Sequence, residues 1–148
     1  MVDITQKLTT ERIAVAEASV VMRPETLASI KDLEIGKGDV LSIARIAGIM
    51  AAKNTPQLIP LCHPIPIGSI GVSFIMNDEE NTINITATAR TTAKTGIEME
   101  AMVAVSVAAL TIYDMCKGSD RTMRFEGVRL VEKRGGRSGD IVLGGSDQ

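Results

Sequence analysis

SIGVSFIMNDEENTINITATAR, residues 69–90, is the stretch of sequence that decides the fold. Apolar residues recur at every second position in each half of it, a period that is typical of half-buried β-strands. The polar run from Asp78 to Asn81 predicts the turn that joins the two halves into a hairpin. We therefore predict strands at residues 69–76 and 82–90.

The residues before this hairpin predict one strand and two helices. Residues 12–22 are expected to form a strand with branched residues on one face and alanines on the other. A helix is the alternative for these residues because alanine is frequent among them. Pro24 suits the first turn of a short helix, and Asp39 is a plausible N-cap for a second helix that ends near Lys53. Four prolines between residues 55 and 66 exclude a long regular element and indicate a rigid wall. The apolar positions of the short helix are Leu27, Ile30 and Leu33.

The residues after the hairpin predict a long helix at about 97–117, a last strand at 123–133 and a glycine-rich loop at 135–140. This order of elements is that of the ferredoxin-like split βαβ fold. We therefore predict a single α+β domain over residues 1–148, with the helices on one face of the sheet. Two helices are apolar on nearly every side, so one sheet cannot cover them, and we expect an obligate oligomer with helices at its interface.

Composition excludes several classes of function. The net charge is −2 and the pI is about 5.4, so no overall basic field attracts nucleic acid. Aromatic residues make up only 2% of the chain, which argues against a base-stacking surface. The longest strongly apolar stretch, residues 101–113, is shorter than the roughly 20 residues that cross a bilayer. With no leader at the start of the chain, we expect a cytoplasmic protein without nucleic-acid or membrane partners.

The two cysteines, Cys62 and Cys116, do not form a CxxC pair. We expect two free thiols in a reducing compartment, with a disulfide as the alternative. A single histidine and two cysteines are too few ligands for a closed structural zinc site, so no metal ligand is assigned.

Asp114 is the charged residue whose position helix stability explains least. It lies near the C-terminal end of the predicted long helix, where the dipole disfavours a carboxylate by about 0.3–1 kcal/mol. Lys117 compensates in part as an i, i+3 partner, whereas Glu98 and Glu100 lie in the favourable first turn. Glu100 and Asp114 share a helix face but are separated by about 21 Å along its axis. Within one chain they cannot act on one atom, so either the ligand is long or the site is shared between subunits.

Other polar residues predict an anion-binding site. His63 lies in the rigid proline-rich segment, and Lys37 is flanked by glycines just ahead of a helix N-terminus, which favours anions. Basic residues surround the glycine pair at 135–136, where backbone amides and charge together can hold phosphate; they are Lys133, Arg134 and Arg137. Neither the Walker motif nor the dinucleotide fingerprint is present. The residues alone therefore predict an oligomer with a charged pocket for an anion, and they name no reaction.

Four stretches carry a family resemblance over essentially the whole chain. They are MVDIT at 1–5, KGDVLSIARIAGIMAAKNTPQLIPLCHP at 37–64, TGIEMEAM at 95–102 and LTIYDMCK at 110–117. The sequence resembles the molybdenum cofactor biosynthesis protein C (MoaC) family of cyclic pyranopterin monophosphate synthases. The resemblance implies a ferredoxin-like homohexamer, a trimer of dimers with sites at subunit interfaces. It also implies a lyase that converts 3′,8-cyclo-7,8-dihydro-GTP to cyclic pyranopterin monophosphate and releases pyrophosphate, with no organic cofactor and with Mg²⁺ at most accompanying the triphosphate.

The resemblance further implies roles for individual residues. Asp114, Lys117 and Lys37 match the family's catalytic positions; we expect the lysines to shuttle protons while Asp114 orients Lys117 or makes its proton easier to lose. Glu98 is a further candidate for contacting the base. The matching substrate-binding positions are Leu61, Cys62, His63, Met99 and Glu100. The phosphates are expected to contact His63, Arg12 and Lys133.

Two departures from the family pattern concern the ends of the site. Arg137 stands where the family usually has lysine, which changes the geometry of contacts with a phosphate. Gly118-Ser119 follows the YDMCK motif where the family often has alanine and an apolar residue, which loosens the helix end beside Lys117. Two other functions stay open. A nucleotide sensor would bind the ligand without turnover, and a purely structural assembly subunit would bind no nucleotide.

Overall fold

One antiparallel sheet organises residues 1–143, the part of the chain that the computed structural model describes. Its strands are β1 Thr10–Val21, β2 Ser69–Asn77, β3 Thr82–Ala93, β4 Arg124–Arg134 and β5 Ile141–Val142. They lie side by side in the order β2-β3-β1-β4-β5. The first four strands of this order give the predicted ferredoxin-like arrangement, with the longest strands, β1 and β3, adjacent to each other.

The hairpin is as predicted from its alternating pattern. Ser69 pairs with Arg90 and Asn77 with Thr82, so the two strands run antiparallel from the turn at residues 78–81. In β3 the alternate residues Ile83, Ile85, Ala87 and Ala89 are fully buried. A period of two therefore places one face of the strand against the core.

The helices pack on the face of the sheet that carries the alanines. They are α1 Pro24–Lys31, α2 Val40–Lys53, α3 Thr55–Leu58 and α4 Glu98–Cys116. The long helix α4 packs on β1 and β3, and α2 packs beside it. On β1 the buried apolar residues are Ala14, Ala16, Ala18 and Val20. Small side chains on β1 allow α4 to lie close to the sheet. The frequent alanines at residues 12–22 had left a helix as the alternative interpretation, but these residues form a buried strand.

The contact between α2 and α4 is equally close. A Cβ atom added at Gly48 in α2 would lie 2.8 Å from the backbone carbonyl oxygen of Ala104 in α4 and 3.4 Å from the Cβ of Ala108. Glycine is therefore required at this position because the two helix backbones nearly touch. By length and composition alone α4 could cross a bilayer, but more than half of it is buried against these neighbours, as in the core helix of a soluble protein.

The structure tests two local predictions and adds one element. Asp39 is the N-cap of α2, with its carboxylate accepting a hydrogen bond from the backbone amide of Ser42 at 3.2 Å. Leu33 is not part of the apolar face of α1: the helix ends at Lys31, and Leu33 is left-handed at φ 56° and 67% exposed. The short strand β5 was not predicted, because two residues carry no measurable period.

Candidate active site

Three of the predicted catalytic residues meet at the C-terminal end of α4. The ammonium of Lys37 lies 3.3 Å from Asp114 Oδ2, and that of Lys117 lies 3.0 Å from Asp114 Oδ1. All three side chains are more than half exposed. We call Lys37, Asp114 and Lys117 the lysine–aspartate cluster.

A tight turn brings Lys37 to this helix end. The Gly38 amide donates to the carbonyl oxygen of Ile35 at 3.0 Å, and Gly38 has φ 118°, a conformation that glycine tolerates best. The two glycines around Lys37 therefore serve to reverse the chain between α1 and α2. The reversal places the ammonium over the last turn of α4.

The charge of Asp114 is stabilised by its neighbours. Hydrogen bonds from Lys117 and Lys37, together with their positive charges, lower the pKa of the Asp114 carboxyl below its ordinary value. The predicted conflict with the helix dipole is thus offset by two cations. The cluster holds one carboxylate and two ammonium groups that can donate to a ligand at the surface of the chain.

Most of the predicted substrate-binding residues line a separate cavity at the other end of α4. This cavity of about 440 Å³, which we call the histidine pocket, is lined by Leu61, Cys62, His63, Glu98 and Met99 among others. His63 Nε2 lies 2.7 Å from the backbone carbonyl oxygen of Val2, so this ring nitrogen carries the proton and donates it. The proline-rich segment forms the wall that its prolines predicted, with the single turn α3 at its start.

Glu100 is the most buried polar residue beside this pocket. Its side chain is 2% exposed, and Oε2 has no hydrogen-bond partner within residues 1–143. Burial, opposed in part by a backbone hydrogen bond and reinforced by the charge of Glu98, raises the pKa of the Glu100 carboxyl. A carboxyl group that keeps its proton can donate as well as accept a hydrogen bond.

Cys62 shares this environment. Burial raises the pKa of the Cys62 thiol, and the nearby charges of Glu100 and Glu98 raise it further. Cys116 is buried in the core, and burial raises its pKa to about 11. Both cysteines are free thiols, so the disulfide alternative is wrong.

The predicted phosphate-binding residues lie beside the histidine pocket and differ in their availability. Lys133 forms an ion pair with Glu98, and Arg12 is 6% exposed, with Nε donating to the carbonyl oxygen of Ala93 at 3.1 Å. Arg134 pairs with Glu132, and Asp140 accepts the amide hydrogen of Gly135 at 3.1 Å. These last two groups are therefore engaged within the tail.

Arg12 and Arg137 line a second cavity of about 250 Å³, which we call the arginine pocket. Lys7 lines this cavity and the histidine pocket as well. The sequence did not single out Lys7, because a lysine near the start of a chain has no local pattern that sets it apart. Within residues 1–143, no three His, Cys, Asp or Glu side chains lie close enough together to hold a metal ion.

The structure does not bring the two halves of the predicted site together within one chain. Glu100 and Asp114 lie on α4 fourteen residues apart, which corresponds to about 21 Å along the helix axis. The histidine pocket and the lysine–aspartate cluster are therefore at opposite ends of the same helix.

Comparisons with known proteins identify the family. The profile of the MoaC family matches residues 1–136. A cyclic pyranopterin monophosphate synthase of Brevibacillus brevis is 54% identical over 144 residues, covering 97% of this chain and 89% of that protein. The synthase of a Roseiflexus species is 57% identical over 142 residues, covering 96% and 90%, and that of Clostridium perfringens is 54% identical over 141 residues, covering 95% and 89%. Carrying the lysine–aspartate cluster and the histidine pocket on a ferredoxin-like sheet, the chain belongs to the MoaC family.

Proposed function

We propose that the protein is a lyase of molybdenum cofactor biosynthesis that converts 3′,8-cyclo-7,8-dihydro-GTP to cyclic pyranopterin monophosphate and releases pyrophosphate. The observation that carries the proposal is the carboxylate of Asp114 held between two ammonium groups, in a chain more than half identical to synthases of that name. Such a cluster supplies the proton donors that ring opening and ring closure both need.

The lysines are the proton carriers in this proposal. Lys37 and Lys117 both reach Asp114, so one ammonium can give a proton to the substrate while the other stays paired with the carboxylate. A neighbouring carboxylate favours the charged form of an ammonium group. The geometry supports Asp114 as the residue that orients Lys117, because its Oδ1 lies 3.0 Å from the ammonium.

The base of the substrate would bind in the histidine pocket. Leu61, Cys62 and Met99 provide apolar and weakly polar walls, and Glu98 provides a polar edge. Glu100, which is buried, follows Met99 directly in the chain. A protonated Glu100 can face a ring atom that accepts a hydrogen bond, while Glu98 accepts from ring nitrogens. His63 and Arg12 would bind phosphate, and Lys133 would join them by exchanging its partner Glu98 for a phosphate oxygen.

The active form would be a homohexamer, a trimer of dimers, in which the histidine pocket of one subunit faces the lysine–aspartate cluster of another. Two observations support this. The two halves are about 21 Å apart along α4, and the outward face of α2 exposes Ile43 at 41%, Ile46 at 58% and Met50 at 57%. Exposed apolar side chains at helical spacing are typical of a subunit interface.

The reaction as proposed requires no organic cofactor, because proton transfer and displacement at the α-phosphate involve no electron transfer. Mg²⁺ would accompany the triphosphate and be held mainly by phosphate oxygens. We place the reaction in the cytoplasm.

The direct test is incubation of the purified protein with enzymatically prepared 3′,8-cyclo-7,8-dihydro-GTP. Pyrophosphate and the pterin chromophore are expected to appear in equal amounts. Tight binding without pyrophosphate release would identify a nucleotide sensor instead, and the absence of any nucleotide binding would identify a structural subunit.

A further inference from the structure

We propose that Lys7 binds the phosphate chain of the substrate at the point where the histidine pocket meets the arginine pocket. The proposal deepens the proposed function and rests on it for the identity of the ligand. No motif in the sequence and no predicted role pointed to this residue.

The position of Lys7 between the two cavities is the first observation. The histidine pocket, of about 440 Å³, and the arginine pocket, of about 250 Å³, have Lys7 as their one shared lining residue among residues 1–143. The other lining residues of the two cavities carry different chemistry: Cys62, His63 and Glu98 line the histidine pocket, whereas Arg12 and Arg137 line the arginine pocket. A nucleotide whose base lies in the first cavity must therefore pass its phosphates by Lys7 to reach the second.

The N-terminal segment is held in place on the fold. The carbonyl oxygen of Val2 accepts a hydrogen bond from His63 Nε2 at 2.7 Å, and that of Thr5 accepts one from Lys94 Nζ at 3.1 Å. The Lys7 amide donates to the carbonyl oxygen of Ile4 at 3.0 Å, which closes a turn. These three hydrogen bonds hold the N-terminal segment on the fold, and Lys7 within it lines both pockets.

The charge of Lys7 is available to a ligand. Within residues 1–143 its ammonium makes no ion pair and no side-chain hydrogen bond, whereas Lys133 is paired with Glu98. Arg12 donates Nε and Nη2 to the carbonyl oxygens of Ala93 and Lys94. A phosphate that enters between the pockets therefore meets Lys7 as an uncompensated cation, and it need not break an existing contact to bind there.

The same arrangement gives the N-terminal segment a second effect. Val2 and Ile4 line the histidine pocket next to His63. The hydrogen bond to Val2 occupies Nε2 and leaves Nδ1 as the ring nitrogen that a ligand can contact. One segment thus orients the ring of His63 at one end and presents Lys7 to the phosphates at the other.

The test compares Lys7→Gln and Lys7→Arg with Lys53→Gln, a control at the end of α2 outside both pockets. Two quantities are measured on the full chain: the Kd for pyrophosphate by calorimetry, and the kcat and KM of pyrophosphate release. Lys7→Gln is expected to raise the Kd and the KM about tenfold and to change kcat by less than about twofold, because one charge-assisted hydrogen bond is lost from binding. Lys7→Arg is expected to retain most of the affinity because it keeps the charge.

The two readouts separate this proposal from the proposed function. A wild-type chain that binds pyrophosphate through Lys7 but turns nothing over would uphold the role of Lys7 and overturn the synthase assignment. A wild-type chain that turns over normally, with Lys7→Gln no weaker for pyrophosphate than Lys53→Gln, would overturn the role of Lys7 and leave the synthase assignment intact. Equal melting temperatures of the variants would show that the losses are not due to unfolding.

Discussion

Lys37 contacts Asp114 at two points, the backbone carbonyl oxygen at 2.9 Å and the side-chain Oδ2 at 3.3 Å. The backbone contact does not depend on the charge of Asp114. Lys37 is therefore held at the end of α4 even when the carboxylate is neutralised, and position and charge can be separated by mutation.

The first prediction concerns the charge of Asp114. Asp114→Asn keeps the shape of the side chain and the carbonyl contact of Lys37, but it removes the negative charge that orients Lys117. We expect kcat for pyrophosphate release to fall by about 100-fold, the lower end of the effect of general acid–base groups, with a smaller change in KM. Glu126→Gln, which changes an exposed carboxylate on β4, serves as the control and should leave kcat within about twofold. Near-normal kcat in Asp114→Asn would remove Asp114 from the mechanism.

The second prediction concerns sites shared between subunits. His63→Ala disables the histidine pocket and Lys37→Ala disables the lysine–aspartate cluster, so each variant alone should be nearly inactive. Oligomers reassembled from equal amounts of both should recover about a quarter of the wild-type activity, since random mixing in a symmetric oligomer gives one intact site in four. A mixture of Lys37→Ala and Asp114→Asn should recover nothing, because both changes damage the same cluster. If the first mixture also stays inactive, each site is built from a single chain.

The third prediction concerns the buried carboxyl of Glu100. Its pKa in the folded chain is raised above the ordinary value of 4.5, so the folded state binds more protons than the unfolded state between the two pKa values. The free energy of unfolding must then fall as the pH rises through this window. Glu100→Gln removes the titration, and the wild-type chain is expected to lose stability relative to this variant as the pH rises through the range above 4.5. Urea denaturation of both proteins over that range measures the difference, and a difference that stays constant with pH would contradict the prediction.

The fourth prediction concerns Asp120, which lies just after α4 and is 1% exposed. Burial alone would raise the pKa of its carboxyl. Hydrogen bonds from the side chain and amide of Thr122, the amide of Arg23 and the hydroxyl of Thr26 outweigh burial and hold the pKa well below 3.8. We expect Asp120→Ala to lower the free energy of unfolding by about 2–4 kcal/mol at pH 7, because four hydrogen bonds, one of them from the buried hydroxyl of Thr26, lose their acceptor.

The pH dependence of this loss has a definite sign. A carboxylate with a lowered pKa stabilises the fold above its unfolded pKa, and the stabilisation disappears as the pH falls. The difference between wild type and Asp120→Ala should therefore shrink when urea denaturation is repeated near pH 3. Asp78→Ala is the control: this carboxylate is 73% exposed and paired with Lys31, so its removal should cost less than about 1 kcal/mol.

Local patterns predicted most of the elements. The alternation at residues 69–90 identified the hairpin, and Asp39 identified the start of α2. The position of Asp114 against its helix dipole predicted a functional group, and this stays a prediction. These signals come from neighbours in the chain, so the sequence displays them directly. Leu33 was misplaced because helix periodicity does not show where a helix ends, and here the chain turns left-handed two residues beyond Lys31.

Long-range relationships were beyond such patterns. The sequence did not show that Lys37 donates a hydrogen bond to the backbone carbonyl of Asp114 or that Asp140 accepts one from the amide of Gly135. It also did not show that Lys7 lines two cavities. Each of these pairs is brought together by packing of α4 on the sheet or by the path of a terminal segment. The family resemblance named residues for the site, but it did not say which of them have their charges neutralised.

By itself, the sequence determined the α+β order of elements, the family and the residue types of the candidate site, because hydrophobic period and motif spacing are local properties. The tertiary structure alone decided which charges are paired, which carboxyl is buried without a partner and which side chains share a cavity. The physical reason is that burial and pairing depend on distances in space between groups far apart in the chain. Those distances are set by the approach of α4 to an alanine-lined sheet, and they separate the two halves of the site by the length of one helix.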